Sequence, residues 1–267
     1  FAASLHFMMG PGGMASFGHA AYFGLGAYGA ALAVKWLGAP MEPALLLAPF
    51  LAGIAGVVFG WFCVRLSGVY LAMLTLAFAQ IAWATAFQSV DLTGGDNGIL
   101  GVWPSAWAAS KTVYYYLTLV ICAAAVLALR LTIFSPFGYG LRAGRDNALR
   151  AEAIGLDVVR IQWVAFAVAA FCAGIAGALF AFFKGSVFPT YMAIPRSVDA
   201  LLMVLLGGVQ TVSGPIVGAF AYAGLHEQLM KATMYWRFAL GLSIVLLVVL
   251  FPRGLVGTIL ALRERRA

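Results

Sequence analysis

Apolar residues run unbroken through long stretches of this chain, and short polar or glycine-rich segments separate the runs. A helix needs about 20 apolar residues to cross a bilayer core about 30 Å thick. A transmembrane barrel would instead show short alternating segments, so the pattern predicts an all-α, polytopic bundle. The predicted membrane-crossing helices are at 20–36, 43–64, 69–87, 113–134, 161–183 and 238–251.

Two glycine-rich segments interrupt this pattern, and we call them the first break (residues 10–19) and the second break (residues 207–215). Glycine and proline weaken helix interiors, and irregular backbone at membrane depth needs protein or water around it. The runs 198–206 and 216–225 are each too short to cross alone, which predicts a re-entrant pair of helices. The two breaks are similar enough to indicate an internal repeat around a shared pathway; two unrelated kinks are the alternative interpretation.

Polar residues near the breaks are candidates for a substrate pathway, because polar groups inside membranes are costly and usually functional. Ser16 and His19 lie in the first break, and Gln80 lies within an apolar run. A packing role is the alternative for these side chains. With the glycines of both breaks included, the candidate pathway residues are Ser16, Gly18, His19, Gln80, Gly207 and Gly208.

The segment 135–160 is polar, with acids interspersed among arginines. An ordinary basic loop is one interpretation, but the pattern favours a short helix that docks in the groove of a partner protein. We predict one helix from Arg145 to Gly155, capped by Asp146 or Asn147 and ended by the glycine. The residues predicted to act in this docking are Arg142, Arg145, Asp146, Arg150, Glu152, Ala153 and Gly155.

Composition and charge add an orientation to this picture. The chain is 64% hydrophobic and 9% charged, whereas soluble proteins carry about 25% charged residues, so we predict a single membrane domain over residues 1–267. The net charge of +7 comes largely from the segment 135–160 and the tail 253–266. Basic loops stay on the cytoplasmic side of a membrane, so both basic segments are predicted to be cytoplasmic. Membrane topology thus accounts for the positive charge, and we predict no nucleic-acid partner.

Several segments together resemble the branched-chain amino acid permeases of the LivM type, a family of ABC importer subunits. The segment 150–155, Arg-Ala-Glu-Ala-Ile-Gly, is similar to the coupling loop of importer permeases. The resemblance covers nearly the whole chain, with three departures. Met14 stands where the family usually has glutamine, the first helix is largely missing and is expected to be truncated, and no Leu-Pro follows Gly155. The other matching segments are 13–28, 71–78, 93–98, 205–208 and 251–255.

The resemblance implies a permease subunit in a bacterial inner membrane that imports branched-chain or similar small amino acids by alternating access. The implied partners are a second, related permease in a heterodimer, two cytoplasmic ABC ATPase subunits and a periplasmic binding protein. The segment 135–160 would then be the cytoplasmic coupling loop that docks on an ATPase. The residues expected to form a periplasmic gate or to contact the binding protein are Thr93, Gly94, Gly95 and Asn97.

The chain lacks the Gly-x-x-x-x-Gly-Lys-[Ser/Thr] sequence that holds nucleotide phosphates, so ATP hydrolysis is expected in separate subunits. We predict no catalytic residue, cofactor or metal site, since the acids at 91–98 lack calcium-loop spacing. A urea or short-chain amide permease of the same family is one alternative function. A stand-alone secondary transporter or channel is another, but it would have no need for a docking helix.

Overall fold

The structure, a computed structural model, describes residues 1–232, 234–251 and 254–258. It is a helical bundle, as the apolar pattern predicts. Its helices are α1 (Ala2–Met9), α2 (His19–Leu37), α3 (Met41–Cys63), α4 (Gly68–Gln88), α5 (Val90–Thr93), α6 (Lys111–Ile133), α7 (Pro136–Asp146), α8 (Ala148–Ala153), α9 (Val158–Lys184), α10 (Ile194–Gly207), α11 (Gly214–Ala232) and α12 (Trp236–Leu250).

Each predicted crossing coincides with one helix to within about three residues at either end. Within the described residues, α3, α4, α6 and α9 are long and apolar enough to cross a membrane. Together with the family reported below, this makes the chain a multi-pass membrane protein. The basic tail at 259–267, predicted to be cytoplasmic, lies outside the described residues.

Helices α2, α3 and α9 form the most closely packed part of the bundle. Small residues make the approach possible, as they do in other membrane helices. A methyl group added at Gly26 would lie 2.2 Å from the Gly174 carbonyl oxygen, and one at Gly177 would lie 1.8 Å from that of Phe23. Helix α6, by contrast, buries few of its side chains, so its apolar surface is available to lipid or to another subunit.

The second break is a tight turn between α10 and α11, which pack against each other. Gly208 has a positive φ of 110°, and a methyl group on Gly207 would lie 1.8 Å from the Gly214 carbonyl oxygen. The helix that contains the apolar run 216–225 is longer than that run, since α11 continues to Ala232. Its last turns mix polar and apolar residues and include an exposed Glu227–Lys231 ion pair of 2.6 Å, a spacing that favours a helix.

A two-residue antiparallel sheet joins the loop after α5 to the end of α9. Ile99 of β1 (Ile99–Leu100) pairs with Val187 of β2 (Ser186–Val187). The backbone amides of Gly101 and Val102 continue the contact by donating to the Gly185 carbonyl, at 3.0 and 3.1 Å. The loop around residues 93–98 is therefore anchored to the core helix α9.

Candidate functional site

The polar segment folds into two helices instead of the single predicted one. Helix α7 ends at Asp146, the backbone at Asn147 is extended, and α8 begins at Ala148. The Asn147 side chain accepts a hydrogen bond of 3.0 Å from the backbone N–H of Arg150, which is an N-cap contact. Gly155 follows α8 with a φ of +88°. The predicted cap and end are therefore present, but the predicted start at Arg145 was wrong, because the capping asparagine separates the two helices.

Helix α8 presents most of its side chains to the outside. Arg150, Glu152 and Ala153 are exposed, while Ala151 is buried. Among the described residues, no cation lies within 4 Å of the Glu152 carboxylate. In that part of the chain the Glu152 carboxylate is therefore not paired with a cation, and contact with a partner stays its predicted role.

Two large apolar side chains extend this exposed surface, and neither was among the docking residues predicted from the sequence. Leu149 is 79% exposed and Ile154 is 76% exposed. Exposed apolar groups rimmed by polar ones mark interaction sites. The available signal was the presence of two bulky aliphatic residues within an otherwise polar loop. We call Leu149, Arg150, Glu152, Ala153 and Ile154 the α8 surface.

Arg142 and Arg145 belong to α7 and point elsewhere. The Arg142 guanidinium lies 5.6 Å from the ring centres of Phe134 and Tyr139. Arg145 reaches the first break, where its Nη1 donates to the Gly10 carbonyl at 2.7 Å. Its Nε and Nη2 donate to Asp146 Oδ1 at 2.9 and 2.7 Å. These two arginines contact their own chain, whereas Arg150 is exposed on α8.

The first break is irregular backbone that is largely buried, although Gly13 and Phe17 are exposed. Ser16 is 1% exposed, and its hydroxyl finds no hydrogen-bond partner in the described part of the chain. The N–H of Phe17 donates to Thr75 Oγ1 at 3.2 Å, and a methyl group on Gly18 would lie 2.0 Å from the Thr75 carbonyl oxygen. Gly18 therefore allows the break to press against α4, the helix that also carries the half-buried Gln80.

His19 begins α2 and is fully buried. Its Nε2 lies 2.8 Å from Ser4 Oγ, and its ring stacks on Phe1 with centres 5.5 Å apart. Its Nδ1 has no partner among the described residues. Because Ser16 and His19 are enclosed by their own chain in this conformation, a pathway role for them stays a prediction.

The two breaks lie against each other. His6 in α1 donates from Nε2 to the Val209 carbonyl at 2.9 Å, and a methyl group on Gly10 would lie 2.7 Å from the same oxygen. The Ser197 hydroxyl of α10 accepts from the N–H of Ala20 at 2.9 Å. The interrupted helices therefore form one cluster in space, although whether the breaks are repeats, and whether Gly207 and Gly208 line a pathway, stay predictions.

The loop predicted to form a gate or a binding-protein contact is held by internal bonds. The Thr93 hydroxyl is buried and lies 2.6 and 2.7 Å from the carbonyl oxygens of Ala86 and Ser89. Gly94 and Gly95 have positive φ values of 77° and 57° and turn the chain. Of the four predicted residues, Asn97 is the one the structure leaves exposed, and the role of the loop stays a prediction.

The family model for the permease component of branched-chain amino acid transport systems matches residues 1–251. The high-affinity branched-chain amino acid transport system permease protein LivM of Escherichia coli (strain K12) is 27% identical, over 94% of this chain and 66% of that protein. The corresponding LivH of the same strain is 23% identical, over 92% of this chain and 86% of LivH. A probable LivM of Methanocaldococcus jannaschii is 24% identical, over 80% of this chain and 67% of that protein.

This chain thus spans just under two thirds of the length of Escherichia coli LivM. No solved structure matches it.

Proposed function

The chain belongs to the family of branched-chain amino acid transport permeases, and from this membership we propose that it is a membrane-spanning subunit of an ABC importer. It moves branched-chain or similar small amino acids into the cytoplasm by alternating access. A permease supplies the route and the docking surfaces, so ATP is hydrolysed by two separate cytoplasmic subunits. A second, related permease and a periplasmic binding protein complete the assembly, in keeping with the distinct LivM and LivH relatives.

The α8 surface is the observation that supports this proposal best. It lies on the segment that joins two membrane-length helices, α6 and α9, and it exposes Leu149 and Ile154 outside any helix long enough to cross a bilayer. An amphipathic helix of this kind fits a groove in a partner protein. A stand-alone transporter or channel has no use for such a surface, which is why we place that alternative second.

The orientation of the chain follows from its cations. The segment 135–160 carries arginines at 142, 145, 150 and 160, whereas the loop 89–112 carries one lysine. Positive charge is retained on the cytoplasmic side of membranes. We therefore place the α8 surface in the cytoplasm, and the loop at 93–98 in the periplasm, where Asn97 is exposed to a binding protein.

Reconstitution tests the proposal directly. The chain is co-purified with the products of neighbouring genes for a second permease, ATPases and a binding protein, and the complex is placed in proteoliposomes. We expect uptake of radiolabelled leucine, isoleucine or valine that requires ATP on the ATPase side and binding protein on the other. Urea and acetamide are measured in parallel. ATP-dependent uptake of those compounds without leucine uptake would favour the urea or amide permease, and ATP-independent uptake would favour the stand-alone carrier.

A further inference from the structure

We propose that Arg145 is a positioning residue that mechanically links the cytoplasmic helices to the first break, so that movement of α8 reaches the cluster formed by both breaks. This inference rests on the proposed function, because it assumes that an ATPase acts on α8. It assigns Arg145 a contact within its own chain in place of the partner contact expected from the sequence. Four structural features support it.

The first feature is how the guanidinium is held. Its Nη1 donates to the Gly10 carbonyl at 2.7 Å, while its Nε and Nη2 both donate to Asp146 Oδ1 at 2.9 and 2.7 Å. Asp146 therefore fixes the plane of the fork and directs Nη1 at the break. The Arg145 side chain is 29% exposed, so the contact is partly shielded from water. A planar fork can make both contacts at once, whereas the point charge of a lysine cannot.

The second feature is the Gly13 backbone, on which the Arg145 side chain packs. Gly13 has a φ of +65°, a conformation that suits glycine. A methyl group there would lie 2.5 Å from Arg145 Cγ and 3.3 Å from its Cδ. The aliphatic part of Arg145 thus lies directly on the Gly13 backbone. The break is held at two points, through the Gly10 carbonyl and through the Gly13 backbone.

The third feature is the opposite side of the same backbone. A methyl group on Gly10 would lie 2.7 Å from the Val209 carbonyl oxygen and 2.8 Å from His6 Nε2. His6 and Val209 are themselves joined by a hydrogen bond of 2.9 Å. Gly10 therefore bonds to Arg145 through its carbonyl and lies close to the second break at its Cα. A shift of Arg145 is expected to displace the α10–α11 turn or to break one of these contacts.

The fourth feature is the position of Arg145 along the chain. It lies in the last turn of α7, two residues before the Asn147 cap of α8. Helix α7 packs on the start of α9, where a methyl group on Gly144 would lie 2.8 Å from Val158 Cγ1. Tightly packed elements shift as units. Only Asp146 and Asn147 separate Arg145 from α8, so a load on α8 acts on Arg145 as well as on α9, which α8 also contacts.

Arg160→Ala offers a matched control for Arg145→Ala. Arg160 is also an arginine of the polar segment and also pairs with an aspartate at 2.7 Å, Asp157. Among the described residues it makes no contact with either break. Both substitutions remove the same charge and the same type of ion pair, so a difference between them reports the contact with the first break.

The test uses the complete reconstituted complex. For Arg145→Ala we expect leucine uptake to fall about tenfold, equivalent to about 1.4 kcal/mol, with ATPase subunits retained and basal ATP hydrolysis unchanged. Arg145→Lys is expected to recover little uptake, because its ammonium cannot bridge Gly10 and Asp146. Arg160→Ala is expected to transport like the unaltered complex. Equal uptake by Arg145→Ala and Arg160→Ala, or full rescue by lysine, would overturn the link.

Hydrogen exchange supplies a second measurement that needs no transport. The Gly10 N–H donates to the His6 carbonyl oxygen at 2.7 Å, and the Met14 N–H donates to the Met8 carbonyl oxygen at 3.1 Å. We expect faster exchange across residues 10–14 in Arg145→Ala and unchanged exchange in Arg160→Ala. Unchanged exchange in both variants would contradict the link. If the unaltered complex takes up no leucine, the proposed function fails, while this exchange comparison still decides the role of Arg145.

Gly13→Ala covers the case in which Arg145→Ala fails to fold. It keeps the Arg145 charge but prevents the Arg145 side chain from packing on the backbone of residue 13. Its leucine uptake and hydrogen exchange should therefore resemble those expected for Arg145→Ala. If both variants fold, the double variant should be no worse than either single one, as expected for residues acting through one contact. Additive losses, or wild-type behaviour of a folded Gly13→Ala variant, would count against the proposal.

Discussion

Helices α7 and α8 follow each other in one polar segment, yet they face opposite ways. Leu141 of α7 is 1% exposed and Leu149 of α8 is 79% exposed, although both are leucines in a segment of similar composition. Helix α7 is fixed to the bundle through Gly144 and Arg145, whereas α8 has one buried residue, Ala151. This difference fits the two proposed tasks, in which α8 binds a partner and α7 carries the resulting movement inward.

Replacing the two exposed aliphatic residues should have the largest effect. Burying a leucine or isoleucine contributes about 1.5–3 kcal/mol, so the double variant Leu149→Asp with Ile154→Asp should weaken ATPase binding by about 100-fold or more. Binding is measured by titrating purified ATPase onto the permease in nanodiscs. The melting temperature should not change, because both side chains are exposed in the chain itself.

Leu141→Asp is the matched comparison on α7. It places a charge at a buried position, so it should lower the melting temperature or prevent folding. If Leu141→Asp is harmless, or if the double α8 variant binds ATPase normally, the assignment of inward and outward roles is wrong.

Charge reversal on the α8 surface should have the next largest effect. Glu152 is exposed without a cation within 4 Å among the described residues, so Glu152→Lys should alter stability by less than about 0.5 kcal/mol. A charge-assisted hydrogen bond to a partner is worth about 1.5–3 kcal/mol, and we expect ATPase affinity to fall at least about tenfold. Glu152→Gln should lose less. Unchanged affinity in the lysine variant would remove Glu152 from the docking surface.

Substitutions at two glycines then test the comparison of α7 with α8: Gly144 tests the packing of α7, and Gly155 tests the backbone conformation at the end of α8. Gly144→Ala should lower the melting temperature, because the new methyl group would lie 2.8 Å from Val158 Cγ1, and overpacking costs about 1–3 kcal/mol. Gly155 has open space around its Cα but a φ of +88°. Gly155→Val should therefore strain the end of α8 by about 1–3 kcal/mol and reduce ATPase binding.

Gly155→Asn is the control, since asparagine tolerates the left-handed conformation. Equal losses of ATPase binding for valine and asparagine at this position would mean that the backbone conformation is not what matters there.

Loss of the α8 cap should have the smallest effect. Asn147→Ala removes the acceptor for the Arg150 N–H, which costs about 1 kcal/mol and should weaken ATPase binding about fivefold. Asn147→Asp keeps an acceptor and should retain binding. A larger loss for aspartate than for alanine would contradict the capping role.

The apolar pattern predicted the positions of six helices well, and four of them, α3, α4, α6 and α9, have the length and apolar composition that a bilayer requires. It did not extend to the end of α11, whose last turns mix polar and apolar residues and contain the Glu227–Lys231 ion pair. Asp146 and Asn147 are both good caps by residue type, and only the extended backbone at Asn147 identifies the second as the cap.

Contacts between distant parts of the chain were beyond the sequence. The Arg145–Gly10 bond joins residues 135 positions apart, and the His6–Val209 bond joins residues 203 positions apart. No local periodicity encodes either pairing. The sequence therefore predicted a polar helical segment and two breaks as local features, but not the contact between α7 and the first break.

The central claim is that α8 binds the ATPase and α7 transmits the movement. The most direct test compares Leu149→Asp with Arg145→Ala in one reconstituted complex, measuring ATPase retention and leucine transported per ATP hydrolysed. We expect Leu149→Asp to lose the ATPase, and Arg145→Ala to keep it while transporting about tenfold less leucine per ATP. The same defect in both variants, or ATPase loss confined to Arg145→Ala, would contradict this division of roles.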